Sequence, residues 1–147
     1  MINAKRIPFG AGLGYLLGSR VKTILVSPDQ EELVFKLRNG CDIVLITKAD
    51  CCSETWFADI IGVSSLLDEL ITGVSILPDT FPDDDRSRQS YDTAYGFTLS
   101  TQKGVTTIAY RNSSNGYYGG DCTALVTLNY NKDNLRGFKK ITKDWSA

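Results

Sequence analysis

The chain has 147 residues, 42% of them apolar and 22% charged, and its 16 Lys and Arg against 17 Asp and Glu leave a net charge of −1. That length suits one domain, 1–147, able to bury roughly 70% of its unfolded surface without a covalent staple. The near-neutral balance excludes a general pull toward nucleic acid or anionic lipid, and no apolar run approaches the roughly 20 residues of a membrane span.

The chain opens with MINAKRIPFGAGLGYLLG. Glycines break its apolar part and it lacks a small-residue cleavage site, so a signal peptide is not expected and a cytoplasmic location is. Gly10, Gly12 and Gly14 form G-x-G-x-G, but no strand precedes them and the last spacing departs from the dinucleotide-binding fingerprint. Residues 1–19 read as an N-terminal arm, mobile or in contact with another copy of the chain.

Three β-rich runs follow, Val21–Ser27, Glu32–Leu37 and Cys41–Lys48, parted by PDQE and RNG. Pro28 presets φ and Asn39-Gly40 favours a tight turn, which predicts a three-stranded antiparallel meander. In SETWFADIIGVSSLLDELI the period changes. Phe57, Ile60, Ile61, Ser64 and Leu67 fall on one helical face, Ser53 can cap, and Glu54 suits the first turn. A main helix is expected there, weakened by about 1 kcal/mol at Gly62.

Ile71–Leu77 reads as a strand ended by Pro78, and residues 78–90, PDTFPDDDRSRQS, as a long polar loop. Strands are expected over Asp92–Ser100, Val105–Arg111 and Thr123–Tyr130. The tail, 132–147, carries Phe138, Ile141 and Trp145 at a loosely helical spacing. It is expected to dock on the sheet with Lys139, Lys140 and Lys143 outside. The fold class that follows is α+β: a single domain of six or seven mostly antiparallel strands with one main helix packed on the sheet.

Three stretches bear on chemistry. Cys51 and Cys52 would flank a helix start, where thiolates are favoured, yet the chain has no histidine to serve as base. Adjacent cysteines rarely bond each other, and on an extended strand they point to opposite faces, which disfavours zinc. Small apolar packing at a corner is the preferred reading of the pair, in a compartment that keeps all four cysteines reduced. Asp83-Asp84-Asp85 lacks the spaced calcium-loop pattern and reads as a solvated loop with Arg86 and Arg88 as counter-charges.

The third stretch is NSSNGYYGGD, Asn112 to Asp121. Gly116, Gly119 and Gly120 allow close backbone approach and an anion-binding nest, and Tyr117 and Tyr118 offer stacking faces and hydroxyls. Arg111 is placed to meet a phosphate. The same residues also suit an ordinary hairpin connection.

ADCCSETWF and RNSSNGYYGG together resemble an uncharacterised domain-of-unknown-function family of small proteins found in phages and bacteria, over residues 20–131. The matching positions are Asp50, Cys51, Cys52, Ser53, Trp56, Asn115, Gly116, Tyr117, Tyr118, Gly119 and Gly120. The resemblance carries no catalytic residues. A phage setting, with the host cytoplasm as location, implies a small protein that counters host defence by trapping a nucleotide signal.

The expectation is therefore a non-enzymatic binding protein that sequesters a small nucleotide-derived molecule. Its site residues would be Arg111, Asn115, Gly116, Tyr117, Tyr118, Gly119, Gly120, Asp50 and Ser53, with no catalytic residue, metal or cofactor. Homo-oligomer assembly is expected to deepen the site. The alternatives are a module that grips a host protein, and an enzyme using Cys51, Cys52 or a metal at Asp83–Asp85.

Overall fold

A computed structural model of the chain describes residues 5–115, 119–128, 130 and 135–147. Its strands build two antiparallel sheets, so the fold is mostly β rather than one sheet carrying a main helix. Sheet I runs in the order β1 (Lys5–Pro8), β9 (Gly120–Leu128), β4 (Cys41–Ala49), β3 (Glu32–Leu37), β2 (Val21–Val26), β10 (Lys139–Ile141). Sheet II runs β11 (Trp145–Ser146), β5 (Glu54–Ile61), β8 (Gly104–Ser114), β7 (Tyr91–Thr101), β6 (Gly73–Thr80). Neither sheet closes into a barrel.

The meander β2–β3–β4 stands where the sequence places it, with Phe35 opposite both Ile24 and Ile43. Alternation then aims Leu33, Phe35, Leu37, Ile43 and Leu45 into one core with Phe57, Ile60, Phe97, Leu99 and Ile108 of sheet II. Burying such side chains is worth about 1.5–3 kcal/mol each.

The expected helix after Cys52 is instead β5, followed by a short 3-10 turn at Val63–Ser65. The aromatic and β-branched residues Thr55, Trp56, Phe57, Ile60 and Ile61 favour a strand. A bulge between Phe57 and Asp59 shifts the pairing with β8 by one residue. Phe57 and Ile60, both inward, therefore stand three apart and imitate a helical spacing. Gly62 ends the strand at φ 89°, and its amide and that of Val63 both donate to Asp144 Oδ1, at 2.9 and 3.0 Å.

The helix lies elsewhere, as α1 (Phe9–Leu16), within the segment read as an arm. β1 pairs with β9, and Leu13 and Leu16 are buried in the core. A side chain at Gly12 would collide with Cβ of Ala124, so this glycine serves close packing of α1 on β9. The C-terminal tail docks as expected but as strands: β10 edges sheet I against β2 and β11 edges sheet II against β5. Ile141 is buried, while Lys139, Lys140 and Lys143 are exposed. No helix among the described residues is long and apolar enough to cross a membrane.

Candidate functional site

The chain passes from sheet I to sheet II between β4 and β5, through Asp50–Ser53, and returns between β8 and β9, through 115–119. The second stretch is thus a crossover between sheets and no hairpin. Because β4 pairs with β9 (Ala49 opposite Gly120) and β5 with β8 (Glu54 opposite Ser113), the two crossings lie side by side. Topology alone brings DCCS and the described ends of the Gly/Tyr stretch, Asn115 and Gly119, together at one end of the sandwich.

Hydrogen bonds join them. Asp50 N–H donates to Gly119 O at 3.1 Å, and Gly119 N–H donates to Asp50 Oδ2 at 3.3 Å. Ser53 Oγ lies 3.0 Å from Gly119 O and 2.9 Å from Asp50 O, so its one proton serves one carbonyl at a time. With β5 in place of a helix, Ser53 is no N-cap, and the expected helix-terminus attraction for an anion falls away. Asp50, Ser53, Gly119 and Gly120 are gathered here, and Asn115 stands exposed where the second crossing begins. Gly116, Tyr117 and Tyr118 lie outside the described residues.

Gly120 has a different job from the one its sequence context suggests. A Cβ there would strike Thr55 Oγ1 and Asn112 Nδ2, which are themselves hydrogen-bonded at 3.0 Å. Its close backbone approach is to the protein's own strands. A Cβ at Gly119, by contrast, would meet only Asp50 Oδ2, at 4.0 Å, among the described residues.

Arg111 is also committed internally. Its guanidinium, on the outer face of sheet II, is buried and donates to Asp92 Oδ2 at 3.0 Å and Asp84 Oδ1 at 2.9 Å, with a second bond to Asp84 Oδ2. Ser113 Oγ donates to the other oxygen of Asp92 at 2.6 Å. Arg86 forks onto Asp59 at 2.9 and 3.1 Å and reaches Asp84 only at 3.4 Å. The acidic loop is therefore a strap clamped across sheet II, where a solvated loop with Arg86 and Arg88 as counter-charges was expected. The bond from Arg111 holds the Asp84 carboxyl well below the usual carboxylate range. Burial pushes Asp59 up, but hydrogen bonds from Arg86 and Ser146 outweigh it and leave Asp59 lowered.

Beside the crossings lies a polar cleft of about 140 Å3, lined by Asp29, Glu31, Ser53, Glu54, Thr55 and Arg88 among others. It exists because the β2–β3 turn folds against strands β4 and β5: Phe57 N–H donates to Gln30 O at 2.7 Å and Thr47 N–H to Glu31 O at 2.9 Å. Arg88 Cζ lies over the Trp56 ring, 3.9 Å from its centroid, and the guanidinium reaches Gln30 Oε1 at 3.3 Å. Burial, then the charge of Asp29, push the Glu31 carboxyl up. Sequence reasoning missed Arg88, Asp29 and Glu31, because three chain-distant segments meet at this cleft and none carries a motif.

The paired cysteines were expected to pack. Both are exposed, with Sγ to Sγ 3.1 Å, at the centre of a turn closed by Ser53 N–H to Asp50 O at 3.1 Å. Cys52 has φ 72°, the left-handed region where glycine is the usual occupant. That conformation turns both sulfurs to one side, so the alternation argued for an extended strand does not apply. Among the described residues, no group of three or more His, Cys, Asp or Glu is arranged to hold a metal ion.

Residues 15–124 match the family model described as a domain of unknown function (DUF7448). No curated protein matches the chain, and no solved structure does.

Proposed function

The chain belongs to the DUF7448 family, and we propose that it is a non-enzymatic binding protein that sequesters a small nucleotide-derived signalling molecule at the paired crossings. The observation that carries this reading is the junction of Asp50 and Ser53 with Gly119, with the polar cleft next to it. At about 140 Å3 the cleft is smaller than the 300–1,000 Å3 of sites that engulf a whole drug-sized ligand. It suits a sugar. Carboxylates of Glu31 and Glu54 with the hydroxyls of Ser53 and Thr55 would take ribose hydroxyls, as acidic residues do in dinucleotide sites.

Arg88 replaces Arg111 as the phosphate contact: Arg111 is buried and held by two carboxylates, whereas Arg88 is exposed and its ion pair with Glu54 is long, at 3.8 Å. The base would lie over the second crossing, where Asn115, Gly116, Tyr117, Tyr118 and Gly119 remain the proposed contacts on their chemistry. Trapping such a signal would counter a nucleotide-based host defence, a role that rests on the phage-type resemblance.

A panel of cyclic nucleotides and ADP-ribose derivatives tests this by thermal shift. Ligand at 100 times its Kd should add about 2.7 kcal/mol, and Glu54→Gln or Arg88→Ala should abolish the gain. A flat response across the panel would remove the reading.

One observation favours a second reading, a module that grips a protein. β6 is the end strand of sheet II, and Ile76 at 60% and Phe81 at 81% exposure stand on or just beyond it. Next to it, a hollow of about 290 Å3 on the outer face is lined by Leu77, Pro78, Ala94, Gly96 and Thr107 among others. An added strand from a partner or a second copy would meet main-chain groups at the edge and place an apolar side chain in the hollow. Native mass spectrometry distinguishes the two: a retained small molecule supports the first, a retained polypeptide the second.

A further inference from the structure

We propose that Cys51 and Cys52 form a redox-active vicinal dithiol, which closes to a disulfide by exchange with a small-molecule disulfide such as oxidised glutathione. Sequence considerations favour buried, inert thiols here, and the structure shows the reverse. Both sulfurs are exposed and lie 3.1 Å apart, close for two sulfurs that are not bonded. The turn that carries them is anchored on both sides, by Ser53 N–H to Asp50 O and by the bonds from Asp50 and Ser53 to Gly119. The sulfurs are thus presented on a fixed support at the tip of a crossing, open to a reagent.

The other two cysteines differ. Cys41 is half-buried on β4, and Cys122 is buried in the core, where burial pushes its thiol far up. Within the exposed pair, the hydrogen bond with Cys51 and then its charge push the Cys52 thiol up.

The chemistry balances in two displacements. The first thiolate attacks one sulfur of the small disulfide, whose S–S bond breaks and releases one small thiolate. The neighbouring cysteine, on losing its proton, attacks the protein sulfur of the mixed disulfide and expels the second small thiolate. Two protein thiols are oxidised, one small disulfide is reduced to two thiols, and the two cysteine protons end on the departing sulfurs. The ring formed by adjacent cysteines is strained, and strained disulfides are readily reduced. This pair is a reversible switch and not a staple. It stands apart from the ligand reading, since it needs no bound molecule.

The test is intact-mass spectrometry of the full, reduced chain after incubation with oxidised glutathione, with peptide mapping under non-reducing conditions. The expected product has lost the mass of two hydrogen atoms within the Cys51–Cys52 peptide and carries no glutathione. Cys51→Ser and Cys52→Ser, both at exposed turn positions, should each stop at a stable mixed disulfide with one glutathione. A wild-type chain that stays reduced, keeps a glutathione on Cys51 or Cys52, or links to a second chain overturns the proposal.

Discussion

At residue scale, Cys52 holds a backbone conformation that costs a side-chain-bearing residue about 1–2 kcal/mol. Glycine there escapes that cost, less the extra entropy it loses on folding. Cys52→Gly should therefore raise stability by about 1 kcal/mol, read from the urea midpoint, while removing one sulfur of the pair. The clamp on the acidic strap makes a second prediction. Asp59 and Asp84 both have folded pKa values below that of a free carboxyl, about 3.9. Their contribution is whole above the unfolded value and is lost as pH falls through the folded one. Urea midpoints should hold from neutral pH to about pH 5 and then decline, and Asp59→Asn combined with Asp84→Asn should flatten that decline.

At element scale, the strands β2, β3 and β4 were legible because alternation and turn residues agree there, Asn39-Gly40 most clearly. β7, β8 and β9 also match their expected positions to within a few residues. The missed strand β5 shows how one extra residue can forge a false period. The helix α1 was illegible for the opposite reason: three glycines in eight residues argue against a helix, and only packing of Leu13, Leu16 and Gly12 on the sheet sustains it. Asp50, Ser53 and Gly119, singled out by unusual local sequence, lie together at the crossings. Arg111 looked available because no local signal revealed Asp84 and Asp92 closing over it. The junction of the crossings gives the prediction at this scale. Gly120→Ala would force Cβ onto Thr55 and Asn112, and should cost about 2–3 kcal/mol in urea unfolding, with Gly119→Ala near neutral by the same measure.

At the scale of the whole molecule, both sheets depend on residues near the end of the chain. Ile141 enters the core from β10, Trp145 packs against it from β11, and between them Asp144 accepts two amides at the start of the 3-10 turn. Deleting residues 138–147 removes all three contributions at once. The loss is comparable with the 5–15 kcal/mol by which domains of this kind are stable, so the shortened chain should show no cooperative unfolding transition in circular dichroism. Asp144→Ala alone should fold and lose about 1–2 kcal/mol, the cost of stranding the amides of Gly62 and Val63.

The placement of β10 and β11 also bears on how the protein is made. Translation proceeds from the N-terminus, so the pieces that flank β2 and β5 emerge from the ribosome after every partner they cover. Until those pieces emerge, the nascent chain carries two strands with bare flanks and an incomplete interior, a state prone to sticking to its neighbours. The fold therefore closes only once residues 139–146 have emerged, and a pause in synthesis before them should favour aggregation over assembly.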